Sequence, residues 1–210
     1  MNSLVSVILF PVAAYLLGAV PFGLIVVRLV SKTDIRRIGS GNIGATNVRR
    51  AAGTGWAVVV LAGDILKGLL PTLAAVWMTT DAFPWLPALT ALAAVCGHMY
   101  PLYLGFKPSG KGVATALGSL LIPAPWACLC AVLVFLGAVR LSRRVSVGSL
   151  TGIMFLPPAA WLTTGDPYTT TAAVIIMVLI LIRHKENLYR LANGKEPALG
   201  ERGTVSESND

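Results

Sequence analysis

The sequence predicts an all-α integral membrane protein, a bundle of seven transmembrane helices of which one is short. Apolar residues make up 55% of the 210 residues, only 12% are charged, and the mean hydropathy is +0.74. A soluble domain carries about 25% charged residues. The apolar residues are also collected into runs that polar or turn-forming segments separate. These observations together indicate helices that cross a bilayer.

Each predicted span has a start or stop signal. Pro21 predicts a kink in the first span, because proline lacks the backbone N–H of a regular helix. Basic clusters follow the first, fifth and seventh spans, and turns that contain Asp81 and Asp166 follow the second and sixth. The ten residues of the fourth span are too few for a hydrocarbon core of about 30 Å, so we expect partial penetration, with neighbouring helices and local water covering its ends. The spans are residues 4–30, 56–78, 85–104, 113–122, 126–139, 147–162 and 170–182.

The charge distribution predicts the orientation of the bundle. Of the 17 Lys and Arg residues, all except Lys67 fall on one side of the seven-span arrangement, and the opposite turns contain none. Because positive charge favours cytoplasmic loops, the N-terminus is predicted outside and the C-terminus in the cytoplasm. No basic residue precedes the first apolar run, so it is interpreted as an uncleaved span rather than a secretory signal.

Composition also bounds the domains and excludes several kinds of site. Residues 1–193 are predicted to form one transmembrane domain, and residues 194–210 a polar cytoplasmic tail that is largely disordered. The net charge of +8 does not indicate nucleic acid, since the charges cluster between apolar spans, where topology and anionic lipid or phosphate account for them. Cys96, Cys128 and Cys130 lie within apolar runs and indicate neither a disulfide framework nor a metal site.

The glycine loop, GFKPSGKGVATAL at residues 105–117, is predicted to be the centre of the site. Glycine-rich loops that lead into a helix direct backbone N–H groups and the positive helix end toward an anion, and Lys111 adds a full charge. The spacing resembles a nucleotide P-loop, but Gly112 stands where that motif needs a magnesium-binding hydroxyl, which argues against an NTPase. The alternative is a flexible cytoplasmic loop that only follows topology.

Three further cytoplasmic segments share the composition of the glycine loop. All four carry cations together with small hydroxyl or amide side chains, which suits a polyanion. Topology alone could explain the arginines, and loop capping could explain Ser40, Asn42 and Asn47, but either explanation is less convincing for four segments together. The three segments are residues 40–50, 143–149 and 183–197.

The sequence lacks an obvious nucleophile or acid–base pair. Neither His98 nor His184 is followed by a carboxylate four to six residues later, so a His-Asp acyltransferase motif is absent. His98 is interpreted as structural, whereas His184 leaves the membrane beside Lys185 and Asn187 and could donate to phosphate or act as a base. The missing nucleophile suggests that one substrate arrives already activated.

Three ordered motifs resemble those of the bacterial acyl-phosphate:glycerol-3-phosphate acyltransferase family. They are SGNIGATNVRR from Ser40, GHMYPLYLGFKPSGKGVAT from Gly97 and HKENLYRLANGKEP from His184. YLLGAVPFGLIV near the N-terminus and GDILKG around Asp64 are also similar. Two departures are visible: Ile43 replaces the usual proline, and residues 107–110 replace a shorter Lys-Gly-Gly.

The resemblance implies a seven-helix enzyme of the bacterial inner membrane with a cytoplasmic active site. It would transfer a fatty acyl group from acyl phosphate to the 1-hydroxyl of glycerol 3-phosphate, giving lysophosphatidic acid and phosphate in the first step of phospholipid synthesis. No metal or other cofactor, acyl-CoA, acyl carrier protein or nucleic acid is implied, and a monomer in the lipid bilayer is expected. The attacking hydroxyl's proton would pass either to a donor phosphate oxygen or to His184.

The matching motif positions imply a set of site residues. Lys111, His184 and Ser40 would be catalytic, and Glu196 would tie the tail to the loops. The glycerol-3-phosphate site would contain Ser40, Arg50, Lys111, His184 and Asn187; Gly110, Lys111, Gly112 and Ser149 would hold the acyl-phosphate head; and Asn42, Thr46, Asn47 and Thr115 would complete the substrate-binding residues.

A transporter or channel for a phosphorylated anion is the rival hypothesis. Asp64 and Lys67 inside the second span, and the short fourth span with its glycine loop, suit such a protein. A transporter should repeat its broken helix in the second half of the chain, however, and the sequence contains no second Gly-Lys-Gly loop. A structural intramembrane pair is the favoured interpretation of Asp64 and Lys67.

Overall fold

A computed structural model describes residues 3–78 and 82–200, and all regular secondary structure in these ranges is helical. The prediction of an all-α protein is therefore confirmed, while the predicted turn at Asp81 lies outside the described residues. The helices are α1 (Ser3–Gly18), α2 (Phe22–Ser31), α3 (Ala45–Ala52), α4 (Thr54–Met78), α5 (Leu86–Met99), α6 (Val113–Leu120), α7 (Pro125–Ser142), α8 (Val145–Thr164), α9 (Pro167–Arg183) and α10 (Lys185–Ala192).

Several of these helices are long and apolar enough to cross a bilayer. Four segments of the described chain meet that requirement: Val7–Ser31, Thr54–Met78, Pro125–Ser142 and Val145–Thr164. A fifth is added if α9 and α10 are joined across the 58° bend between them. α5 and α6 are shorter, with 14 and 8 residues. The integral membrane character follows from these segments.

The first predicted span breaks where Pro21 predicts it. α1 ends at Gly18, and α2 begins at Phe22, directly after the proline. At the break, the Val20 carbonyl accepts from the Phe22 amide at 3.0 Å and from the Lys67 ammonium at 3.1 Å. A polar side chain from α4 thus satisfies the broken helix, as is usual for proline breaks inside membrane bundles.

The third predicted span is shorter than the sequence indicates. α5 ends at Met99 rather than Leu104, because Pro101 has no N–H to continue the helix. The Tyr100 carbonyl at this end accepts a 2.6 Å hydrogen bond from the Tyr15 hydroxyl of α1. A 3₁₀ turn at Leu102–Leu104 follows. The chain therefore enters the glycine loop from within the bundle, beside the buried end of α5.

Small residues bring the helices into close contact. On α4, a Cβ atom added to Gly68 would lie 2.3 Å from the Thr115 carbonyl oxygen of α6, and one added to Gly118 would lie 2.0 Å from that of Ile65. Membrane helices associate through close packing of this kind rather than through a hydrophobic driving force. The short α6 is accordingly enclosed by its neighbours, and its Ser119 hydroxyl donates to the Thr115 carbonyl.

Candidate functional site

A cavity of about 660 Å³ opens where the four predicted polyanion-binding segments meet. Its volume lies within the usual range for small-molecule sites. Ten of the twelve predicted site residues line it, and only Gly110 and Thr115 do not. The ten are Ser40, Asn42, Thr46, Asn47, Arg50, Lys111, Gly112, Ser149, His184 and Asn187.

The glycine loop is fixed by backbone geometry and by close packing. Gly112, the N-cap residue of α6, has a φ of +85°, a conformation that residues with a Cβ rarely adopt. Gly110 packs directly on the His98 ring, since an added Cβ would lie 1.9 Å from Nε2. On its other side, the Gly110 carbonyl accepts a 3.0 Å hydrogen bond from Arg183 Nε. Lys111 is held between these two glycines.

The Lys111 ammonium begins a chain of short hydrogen bonds across the cavity. It donates to Asn187 Oδ1 at 2.6 Å, and Asn187 Nδ2 donates to Glu196 Oε1 at 2.6 Å. Arg190 Nε donates to Glu196 Oε2 at 2.8 Å. Burial lowers the pKa of Lys111 to about 8, although the nearby Glu196 carboxylate acts in the opposite direction. The hydrogen bond to Asn187 thus fixes the ammonium, and its burial leaves it poorly hydrated, so that a bound anion would stabilise its charge.

Glu196 connects the chain after α10 to the loop between α7 and α8. Burial raises its pKa, but the Ser146 hydroxyl and the hydrogen bonds from Asn187 and Arg190 outweigh that effect, so the pKa lies below its ordinary value. From the loop, Arg144 Nε donates to the Glu196 backbone carbonyl at 3.0 Å. In the other direction, the Leu199 amide donates to the backbone carbonyl of Arg143 in the loop. The predicted tying role of Glu196 agrees with these contacts.

The tail predicted from Gly194 therefore has two parts. Residues 195–199 line the cavity, and the backbone of Glu196 and Leu199 is hydrogen-bonded to Arg144 and Arg143. The remainder, residues 201–210, lies outside the described residues. The beginning of the tail forms part of the wall of the site.

The segment that begins at Ser40 is held by its own asparagines. Asn47 is buried, and its amide donates to the backbone carbonyls of Ile38 at 2.8 Å and Asn42 at 2.9 Å. Asn42 Oδ1 accepts from the Gly44 amide at 2.8 Å. Both side chains therefore serve as the loop caps that the sequence left open as an alternative, while Ser40 remains exposed at the cavity.

Arg50 presents an unused donor to the cavity. Its Nε is buried and has no hydrogen-bond partner among the described residues. A buried donor without a partner is costly unless a ligand satisfies it. Arg50 and Thr46 both lie on α3 and line the cavity. The guanidinium is therefore available for an oxyanion.

His184 is buried at the bend between α9 and α10. Its Nδ1 lies 2.8 Å from the Ile180 carbonyl oxygen, which can only accept, so Nδ1 carries a proton. Burial, with the nearby Lys111 charge, lowers the pKa of His184 to about 4. At neutral pH the ring is therefore uncharged, and Nε2 is a hydrogen-bond acceptor.

Three helices begin at the cavity without a side-chain cap. Their N-cap residues are Gly44 for α3, Gly112 for α6 and Arg144 for α8. The first residues of each helix line the cavity. Because a helix N-terminus carries about half a positive charge, these ends add to the positive field of Arg50 and Lys111. The polar end of the cavity is suited to phosphate groups.

The other end of the cavity is apolar and extends between helices. α4 and α6 contribute one wall, and α7 and α8 contribute the other. The apolar lining includes Ile65, Leu117, Cys128, Phe135, Ile153 and Leu156. A ligand with a charged head and a hydrocarbon chain would match both ends.

Sequence reasoning missed some residues of the site. Arg190 lines the cavity and holds Glu196, and its spacing of three from Asn187 on α10 was an available signal, because such residues share a helix face. Asp64 and His98 also line the cavity, although the sequence assigned both to structure. The proximity of these last two had no sequence signal, since they lie on different helices.

Comparison with known proteins adds independent findings. Residues 8–194 match the family described as Glycerol-3-phosphate acyltransferase. The glycerol-3-phosphate acyltransferase of Syntrophotalea carbinolica is 46% identical over 184 residues, which cover 88% of this chain and 93% of that protein. The corresponding protein of Geobacter sulfurreducens is 43% identical, with 87% and 92% covered.

Solved structures agree with the sequence relatives. The crystal structure of PlsY (YgiH), an integral membrane glycerol 3-phosphate acyltransferase, in its glycerol 3-phosphate form matches with a TM-score of 0.88 and 40% identity. The match covers 93% of this chain and 96% of that chain. The lysophosphatidic acid form of PlsY matches with a TM-score of 0.84.

Proposed function

The chain belongs to the glycerol-3-phosphate acyltransferase family, and on that premise we propose that it transfers a fatty acyl group from acyl phosphate to the 1-hydroxyl of sn-glycerol 3-phosphate. The products are 1-acyl-glycerol 3-phosphate, which is lysophosphatidic acid, and phosphate. The observation that carries this proposal is the two-ended cavity, in which cations and helix N-termini lie at one end and apolar side chains at the other.

The polar end has groups for two phosphates. Arg50, with its unused Nε, would bind the phosphate of glycerol 3-phosphate, since guanidinium forms paired hydrogen bonds with phosphate oxygens. The α6 N-terminus and Lys111 would bind the phosphate of the donor. The acyl chain would lie in the apolar cleft between α6 and α8. This arrangement holds the acceptor hydroxyl near the acyl carbon.

The reaction needs positioning and charge stabilisation more than a protein nucleophile. The 1-oxygen of glycerol 3-phosphate bonds to the acyl carbon, the bond from that carbon to the phosphate oxygen breaks, and phosphate leaves with the electron pair. Negative charge grows on the carbonyl oxygen and the leaving phosphate, where Lys111 stabilises it. The mixed anhydride is already activated, so bringing the two substrates together supplies much of the acceleration.

We assign the hydroxyl proton to an oxygen of the donor phosphate. His184, with its pKa lowered to about 4 by burial and by Lys111, is a weak base near neutral pH. Its Nε2 can instead accept a hydrogen bond from a glycerol hydroxyl and orient it. Ser40, exposed at the cavity, would add a second orienting contact.

We further propose a monomer that crosses the bacterial inner membrane seven times. A single chain supplies both the cationic end and the apolar end of the cavity, so the proposed reaction requires no residue from a second copy. The four segments that line the cavity carry 10 of the 17 basic residues, which supports a cytoplasmic site. α5 and the enclosed α6 would be the two shorter crossings.

Cysteine accessibility tests this topology. Single cysteines replace Ser40, Lys107 or Ala192, all exposed in the structure, in a protein from which Cys96, Cys128 and Cys130 have been removed. In intact cells these cysteines should resist a membrane-impermeant thiol reagent. They should react after permeabilisation. Thr164→Cys, at the opposite end of α8, is the control and should react in intact cells. External labelling of any of the first three positions would contradict the seven-span arrangement.

The donor is tested with purified protein in detergent. We expect phosphate release and lysophosphatidic acid from acyl phosphate and glycerol 3-phosphate, unchanged by a metal chelator, and no product from acyl-CoA. Omission of glycerol 3-phosphate is the control for spontaneous hydrolysis. Loss of activity in chelator that magnesium restores would instead support a nucleotide-type use of the glycine loop.

A further inference from the structure

Three ionisable side chains are buried together in the bundle where α4, α5 and the α1–α2 break meet. Asp64, Lys67 and His98 are each less than 5% exposed. Asp64 Oδ1 lies 2.8 Å from Lys67 Nζ and 3.6 Å from His98 Nδ1. One carboxylate oxygen is therefore close to both the ammonium and the imidazole.

A need for stability alone does not explain this group. Buried ion pairs are often no more stable than apolar residues of similar size, because both charges lose their hydration. Ionisable residues inside membrane bundles commonly mark functional positions. Lys67 has a structural task, since it also donates to the Val20 carbonyl and lies 5.8 Å from the centre of the Phe22 ring. No such task explains the contact of Asp64 with His98.

His98 connects this group to the glycine loop. Its ring forms the surface on which Gly110 packs, so closely that no Cβ fits, and Arg183 holds the Gly110 carbonyl from another direction. Asp64 and His98 also line the cavity. The residue after Gly110 is Lys111, so a change in the position of the His98 ring would move the Lys111 backbone.

We propose that His98, held in place by the Asp64–Lys67 pair, is a positioning residue. It sets the position of the Gly110 backbone and thereby the position of the Lys111 ammonium. This inference rests on the proposed function. The His98 Nδ1 edge faces the Asp64 carboxylate at 3.6 Å, which is beyond hydrogen-bond distance, so the carboxylate acts on the ring as a nearby charge, while the opposite edge of the ring faces Gly110. In this proposal the three side chains act through the loop backbone, because His98 packs against Gly110, the residue before Lys111.

The double variant Asp64→Asn, Lys67→Met separates positioning from stability. It removes both charges and leaves neither one buried without its partner, and the Val20 carbonyl keeps the Phe22 amide as a donor at 3.0 Å. The protein should therefore fold, with a thermal midpoint close to that of the wild type. The His98 ring loses its carboxylate, and Lys111 is no longer fixed. Because a misplacement of about 1 Å can cost about a hundredfold in rate, we expect kcat to fall at least about tenfold while KM for glycerol 3-phosphate stays unchanged.

The control for this variant is Thr72→Val on the same helix. Thr72 is fully buried two turns beyond Asp64, and its hydroxyl has no hydrogen-bond partner among the described residues. Its replacement changes a buried polar group of α4 without touching the loop, so kcat should equal that of the wild type. Wild-type kcat in a well-folded double variant would overturn the proposal, and a fall in the thermal midpoint that fully accounts for lost activity would do the same.

A reciprocal pair tests the loop contact even if the double variant does not fold. Gly110→Ala should lower kcat more than tenfold, because its methyl group occupies the place of the His98 ring. His98→Ala vacates that place, so the combined His98→Ala, Gly110→Ala variant should be more active than Gly110→Ala alone. A combined variant no more active than Gly110→Ala would contradict the positioning role. Absence of acyl transfer in the wild type would contradict the proposed function itself, so the two failures are distinguishable.

Discussion

Replacement of Lys111 by alanine should lower kcat/KM at least about a hundredfold without preventing folding or membrane insertion. Lys111 lies between Gly110 and Gly112, directly before α6, where a donor phosphate can also contact backbone N–H groups. Negative charge grows there during acyl transfer, so a fixed cation stabilises the transition state more than the ground state. Loss of one such group typically costs about 10²–10³ in turnover.

The pH dependence provides a second readout of the same residue. Lysine is charged below its pKa, and burial lowers the pKa of Lys111 to about 8. For the free enzyme, kcat/KM should therefore fall as pH rises above about 8, because the charged form is lost. Lys111→Arg should remove this alkaline fall, since arginine stays charged, but should not restore full activity, because a planar guanidinium differs in shape from a compact ammonium.

The matched control is Lys107→Ala. Lys107 is an exposed lysine of the same loop and does not line the cavity, so its replacement should leave kcat/KM near the wild-type value. Steady-state kinetics on detergent-purified variants of equal thermal stability make the comparison. A well-folded Lys111→Ala protein with near wild-type kcat/KM would show that the glycine loop is only a connector.

The membrane character and the meeting of the polar segments could be predicted because both depend on local composition. A hydrophobic run and a basic loop are visible in the sequence without knowledge of packing. Proline signals were also local: the break before Phe22 was predicted from Pro21. The end of α5 at Met99 was missed, although Pro101 was visible, because apolar residues continue to Leu104 and hydropathy does not register a missing N–H.

The roles of single side chains were harder to predict because they depend on distant partners. The amide of Asn47, a predicted substrate-binding residue that lines the cavity, donates to the carbonyls of Ile38 and Asn42, which only the folded loop brings near. Asp64 and His98 lie 3.6 Å apart although 34 positions separate them in the chain. Helix periodicity shows which residues share a face of one helix, but not which faces of two helices meet.

Replacement of Arg50 by alanine should raise KM for glycerol 3-phosphate at least about a hundredfold while leaving KM for acyl phosphate nearly unchanged. Its buried Nε has no partner among the described residues, so the structure holds a donor ready for an oxyanion. A hydrogen bond to a charged group contributes about 1.5–3 kcal/mol, and a guanidinium can form two such bonds to one phosphate.

The control and a graded variant make the Arg50 prediction specific. Arg37→Ala removes an exposed cation near the same segment that does not line the cavity, so it should leave both KM values unchanged and correct for the loss of surface charge. Arg50→Lys keeps the charge but loses the paired geometry, so KM for glycerol 3-phosphate should lie between the wild-type and alanine values. Initial rates measured with each substrate varied in turn give both constants. If Arg50→Ala instead raised KM for acyl phosphate and left that for glycerol 3-phosphate unchanged, the two phosphates would have to exchange places in the cavity, with the donor beside α3 and the acceptor beside the glycine loop.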